Sequence, residues 1–152
     1  MTSMSQLALV AKFELEKEQK AAQQFQLAQQ HVTQQRQKLS NLQQYRLDYV
    51  RQIQATGKGG VAAKAYHQHL SFVGKLDKAC QQQMNVISQA SLVAEQRKRA
   101  WLEQQKRRKA VDMLIDKKAQ EAQRIEARRE QQMLDEYASQ KFFRNQLTKS
   151  PF

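Results

Sequence analysis

Apolar residues recur along this chain in alternating steps of three and four. With heptad position a at Met4, Ala11, Glu18, Phe25, Val32, Leu39, Arg46 and Ile53, position d falls on Leu7, Glu14, Ala21, Ala28, Gln35, Leu42 and Tyr49. Eleven of these 15 sites are apolar, where a 40% background gives about 6. A second seam runs from Ala62 through Tyr66, His69, Val73, Leu76, Cys80, Gln83, Ile87, Ala90, Ala94, Arg97 and Trp101 to Ile125, with 13 of 19 sites apolar. Three of the four glycines lie between the two seams, in Thr56-Gly-Lys-Gly-Gly60. Residues 5 to 55 contain no Gly or Pro, and residues 61 to 149 contain only Gly74. The pattern predicts an all-α chain forming one coiled-coil domain over 1–152. Helix one spans about 5–55, a glycine turn 56–60 and helix two about 61–144, with a frayed C-terminal tail. A tight glycine turn folds two helices back on each other, so the expected architecture is an antiparallel hairpin.

Docking the seams about that turn predicts the layers Tyr49 with Tyr66, Leu42 with Val73, Leu39 with Leu76, Ala28 with Ile87, and Phe25 with Ala90. The next polar layer sets Glu18 against Arg97, opposite charges where the seam is otherwise worst. Helix one runs out near Met4, opposite Val111. Helix two is therefore expected to overhang at its C-terminal end by about 30 residues, ~45 Å at 1.5 Å per residue. Ile125, Met133, Leu134, Tyr137, Phe142 and Phe143 lie in that overhang.

Composition narrows the function. The chain has 28 Gln among 152 residues, 7% aromatic residues, and 26 Lys+Arg against 14 Asp+Glu, a net charge of +12. The longest near-apolar run, Leu7 to Ala11, is far short of the ~20 residues that span a bilayer. The N-terminal Met1-Thr-Ser-Met-Ser-Gln lacks the basic start of a signal peptide. Cys80 is the only cysteine, which gives no disulfide framework and points to a reducing cytoplasm.

No catalytic constellation is present, so an enzyme, a cofactor and a metal are not expected. Gly57-Lys-Gly-Gly60 lacks P-loop spacing. His67 and His69 are two apart and share no helix face, and His31 has no companion. A two-helix hairpin also offers no water-excluding concavity for acid–base work.

Two surface features rise above this background. Lys38, Tyr45, Phe72 and Ala79 all fall at position g, and in antiparallel hairpins g lies beside g. Tyr45 and Phe72 should therefore sit together, partly exposed, next to Leu42, Tyr49 and Leu76, either capping the seam or forming a protein-docking patch. The second feature is a basic run, Arg97 to Arg99 and Lys106 to Lys109, continued by Lys117, Lys118, Arg124, Arg128 and Arg129. It circles the helix rather than lining one stripe, with Trp101 its only interleaved ring. It reads as a solvated face, a nucleic-acid contact or a surface for an acidic protein.

At this point the residues resemble the FliJ family of the flagellar type III export apparatus. The resemblance covers most of the chain. It rests on Glu16-Lys-Glu18 with Ala21-Ala22, Leu42-Gln-Gln-Tyr45-Arg-Leu-Asp-Tyr49, the glycine turn, and Tyr66…Phe72…Leu76-Asp-Lys-Ala79. The basic helix around Trp101 and the ending Met133-Leu-Asp-Glu-Tyr137-Ala138 complete it. It implies a cytoplasmic stalk, peripheral at the inner membrane, that is similar in shape to the γ stalk of rotary ATPases. Its open end would enter the export ATPase hexamer and promote ring assembly, through cations such as Lys12, Arg97, Arg99, Arg107, Arg108, Arg124, Arg128 and Arg129. The resemblance carries binding of the export gate's cytosolic domain onto Leu42, Tyr45, Tyr49, Phe72, Leu76 and Ala79. Lys38 stands where the family pattern has Gln, and Gln83 where it often has His. Export chaperones are implied as further partners, and nucleic acid is not. The alternatives are the equivalent stalk of a virulence-type secretion system and a generic basic coiled coil that binds nucleic acid or anionic membrane surfaces.

Overall fold

The structure is a computed structural model that describes residues 3–57 and 63–149. Two helices, α1 (Met4–Gly57) and α2 (Ala63–Lys149), pack against each other in antiparallel order, and no strand occurs among the described residues. α1 lies close to the expected bounds of about 5–55, and α2 runs past its expected C-terminal end near 144. At the start of α1, Gln6 N donates to Ser3 Oγ (3.2 Å) and Ser3 N to Gln6 Oε1 (3.1 Å), a capping box that satisfies two otherwise orphan donors. At the other end of α1, Thr56 Oγ1 donates to the carbonyls of Gln52 and Ile53 (2.9 and 3.1 Å). Thr148 makes the same bonds to Arg144 and Asn145 (3.1 and 3.0 Å), which carries α2 past the expected end near residue 144. Of the expected turn, Gly57 is the last residue of α1, and 58–60 lie outside the described residues, as do 61 and 62 of helix two.

The chain divides into two compact units. One comprises residues 15–105 and the other the first 14 residues with 106–152. In the 15–105 unit the core is thin. Val32 is 2% exposed and clusters with the buried Ala90 and Ala94 and the half-buried Ala28. Leu76 and Cys80 are also buried in the seam. Small residues opposite Val32 let two helices approach closely while still filling space.

The helical register differs from the expected one by nearly one turn. Tyr49 faces His69 rather than Tyr66, with its hydroxyl 2.6 Å from Nδ1, and Tyr66 is 52% exposed. Gln35 faces Gln83, whose Nε2 donates to both Gln35 O (2.9 Å) and Gln35 Oε1 (2.8 Å). Ala28 packs on the cluster of Val32, Ala90 and Ala94. Phe25 stacks on Trp101, with ring centroids 5.7 Å apart. The expected Glu18–Arg97 layer is also replaced, because Arg97 donates to Gln24 Oε1 (3.3 Å) while Glu18 is buried.

The polar seam residues, Gln35 buried and Gln83, Tyr49 and His69 half-buried, favour this register. In the expected register Gln35 would oppose Cys80, Gln83 would oppose Val32 and His69 would oppose Arg46. Leaving a buried donor or acceptor unmade costs about 1–3 kcal/mol. The observed register pairs Gln with Gln and Tyr with His, and no buried side-chain nitrogen or oxygen among the described residues lacks a partner.

In the other unit Leu7 is 5% exposed, and the half-buried positions of α2 run through Arg108, Val111, Asp112, Ile115 and Lys118. Pairing thus continues past Val111, in line with the shifted register. From Glu121 to Thr148 every residue is exposed, ~42 Å of helix at 1.5 Å per residue.

Gly74 lies inside α2, exposed, and a Cβ built there meets nothing within 4 Å. Gly74→Ala is expected to stabilise the protein by about 0.5–1 kcal/mol through helix propensity alone. Thermal unfolding followed by circular dichroism should show a midpoint a few degrees higher. A lower midpoint would mean that the glycine meets something the open surface does not show.

Candidate protein-docking site

The residues expected to form an aromatic patch all belong to the 15–105 unit. Phe72 packs edge-on against Tyr45, with centroids 6.3 Å apart and ring planes at 81°. On its other side it meets Tyr49, at 4.8 Å and 61°. Tyr49 in turn meets the His69 ring at 5.7 Å and 61°. The three carbon rings therefore form one continuous T-shaped chain, the arrangement that ring quadrupoles favour. Tyr45 is 52% exposed, Phe72 and Tyr49 are half-buried, and so are Leu42 and Ala79. Leu76 is buried in the seam. Of the six residues expected to act together, three are in direct ring contact and Tyr45 carries most of the exposed aromatic surface.

Nearby, Arg46 Nε donates to Asp77 Oδ1 at 2.5 Å, bridging α1 and α2. Both partners are about half-exposed, so the bridge contributes on the order of 0.2–1 kcal/mol. Its geometric effect is to hold the two helices together beside the patch. Lys38 is exposed, whereas Gln83 is committed to Gln35 in the seam.

The basic residues behave less uniformly than their spacing suggests. In the 15–105 unit Arg97 is bonded to Gln24, and Arg99 lies 3.6 Å from Glu95 one turn away. Trp101, the one ring in the basic run, is half-buried on Phe25 and so is not a free stacking platform. In the other unit Arg108 is half-buried and donates to Asp112 Oδ2 at 2.9 Å. Lys12, Arg107, Arg124, Arg128 and Arg129 are exposed. Among the described residues, no group of three or more His, Cys, Asp or Glu is placed to hold a metal ion.

Sequence reasoning missed three features. His69 is a partner of Tyr49, not a bystander, and its own seam position was the signal. Phe25 and Trp101 also both sit on the seams, so their contact was open to prediction once the register was right. The Ser3-Met-Ser-Gln6 start matches the capping-box pattern directly.

Two long helices packed in antiparallel order, with no strand among the described residues, make this an α-helical coiled-coil hairpin. The chain belongs to the FliJ family: residues 3–147 match the family described as flagellar FliJ protein. FliJ proteins are components of flagellar type III export. Neither a curated protein nor a solved structure matches the chain.

Proposed function

We propose that this chain is the stalk component that binds the flagellar export ATPase ring, promotes its assembly, and links it to the cytosolic domain of the membrane export gate and to export chaperones. The observation that carries the reading is the Tyr45–Phe72–Tyr49 ring chain, half-exposed at one edge and anchored in the seam at the other. Clustered aromatic rings of this kind concentrate binding free energy at protein interfaces. Gate docking is thus assigned to the 15–105 unit, through Tyr45, Tyr49 and Phe72, with Leu42, Leu76 and Ala79 beneath and beside them.

The ATPase contact is assigned to cations: Lys12, Arg107, Arg108, Arg124, Arg128 and Arg129 in one unit, Arg97 and Arg99 in the other. The exposed ones steer an acidic partner and raise the association rate. Arg108 acts through its fixed charge, since Asp112 already holds its guanidinium. The protein works in the cytoplasm against the inner membrane, held there by its gate partner. No helix among the described residues is long and apolar enough to cross a membrane.

The test uses purified export ATPase and the gate's cytosolic domain, titrated separately with the full chain. Arg124, Arg128 and Arg129 are exposed, so the triple Glu variant should keep its helicity. It is expected to associate with the ATPase about 10–100-fold more slowly at low salt, with the gap closing as salt rises through ~0.5 M. Gate binding should not change. ATPase association at the parental rate would remove the cationic contact from the reading.

A further inference from the structure

The layer at Tyr49 is a costly one for a coiled coil, because a seam site filled by His half-buries a polar ring where Leu would pack better. What this layer does is fix a ring. Tyr49 is half-buried, and its hydroxyl lies 2.6 Å from His69 Nδ1. The phenol donates when the imidazole carries its proton on Nε2, and accepts when Nδ1 is protonated. Phe72 has no polar handle of its own. Two rings touch it, Tyr49 at 4.8 Å and Tyr45 at 6.3 Å, and both bear on its orientation. The contacts therefore run in sequence from His69 to Tyr49, from Tyr49 to Phe72, and from Phe72 to the exposed Tyr45. His67, two residues earlier, is exposed and takes no part.

We infer that His69 is a positioning residue of the docking surface. Its hydrogen bond pins the Tyr49 ring, and the pinned ring holds Phe72 and Tyr45 in the arrangement that the gate partner meets. The inference rests on the gate-docking reading given above. Without the bond, the Tyr49 hydroxyl turns towards water, the ring leaves its 61° contact with Phe72, and the surface loses its preorganisation. Preorganised surfaces bind more tightly because less ordering is left for the moment of association.

The experiment measures affinity of the full chain for the gate's cytosolic domain by titration calorimetry, with thermal unfolding in parallel. His69→Leu is expected to weaken binding about 5–20-fold, a coupling typical of neighbours in one hydrogen-bonded network. Tyr49→Phe should weaken it to a similar extent, and the double variant should be no weaker than either single one. The double variant has a fully apolar layer, so its unfolding midpoint should equal or exceed the parent's. Binding and stability then move in opposite directions, which a merely structural histidine would not produce. His69→Asn keeps a hydrogen-bonding group near the place of Nδ1 and should recover binding to within about 3-fold.

Phe72→Ala separates the two levels. If Phe72→Ala weakens binding while His69→Leu leaves it at the parental value, or if the losses of His69→Leu and Tyr49→Phe simply add, the positioning inference is wrong and the docking surface stands. If Phe72→Ala binds like the parent, the gate-docking reading fails and the inference fails with it.

Discussion

Val32→Asp is expected to unfold the 15–105 unit at room temperature and neutral pH. Val32 is the least exposed residue of its cluster, at 2%, and the cluster it packs in, with Ala28, Ala90 and Ala94, offers no side-chain hydrogen-bond partner; Arg36 and Lys98 line only the groove at its edge. An ionised carboxylate in that cluster must be desolvated, at several kcal/mol unless it turns out towards the cations at the groove's edge. The stability of a domain of this size is on the order of 5–15 kcal/mol in total, and a core this thin belongs at the lower end. The sign of the pH dependence follows from the same physics. Burial raises the folded-state pKa of the introduced Asp above its unfolded value of about 3.9, so the penalty is full above the folded pKa and fades as pH falls through it. The variant should therefore regain helicity between about pH 6 and pH 4. Val32→Ala, which removes volume without adding charge, should cost only about 1–3 kcal/mol. Circular dichroism melts across pH distinguish these outcomes. A Val32→Asp chain melting within a few degrees of the parent at pH 7 would show that the Val32 layer is not buried between the helices.

The same layer shows why the fold was legible in the sequence and its register was not. Fifty residues without Gly or Pro, rich in strong helix formers and stepped by three and four, leave few choices but a long helix. Three glycines between two such segments leave few choices but a reversal. The register is a different matter, because sliding one helix by a turn carries an a site onto a d site and conserves nearly every apolar pairing. Counting apolar residues cannot separate the two arrangements. The polar seam residues can. Gln35 and Gln83 satisfy each other only in the observed register, and so do Tyr49 and His69. The Glu18–Arg97 match pointed the other way, but Glu18 is buried, and in a seam the desolvation of an ion pair offsets much of its Coulomb attraction. The aromatic patch survived the slip because long rings on the hairpin's edge reach across about a turn, so Tyr45 still meets Phe72. The cations were legible as charges but not as partners, apart from pairs such as Arg108 with Asp112 that share a helix face four residues apart.

Phe72→Ala should cost the gate contact most of its affinity while leaving the ATPase contact intact. Phe72 is the middle ring of the chain, touching Tyr45 on one side and Tyr49 on the other. Its removal takes away its own surface and the support of both neighbours. Truncating a central aromatic anchor at an interface typically costs about 2–4 kcal/mol, so affinity for the gate's cytosolic domain should fall by roughly 30–1,000-fold. The half-buried ring also contributes to the fold, through two aromatic pairs at about 0.5–1.5 kcal/mol each, and a lower melting midpoint is expected alongside. Tyr45→Ala separates binding from folding. Tyr45 is 52% exposed and pairs only with Phe72 among the described rings, so its loss should leave the midpoint within a few degrees and still weaken gate binding by roughly 5–30-fold. If Phe72→Ala severs both contacts together, the unit has unfolded and Tyr45→Ala becomes the deciding variant. If Tyr45→Ala and a folded Phe72→Ala both bind the gate at parental affinity, the ring chain is a cap on the coiled-coil seam, and the gate must be met elsewhere on the molecule.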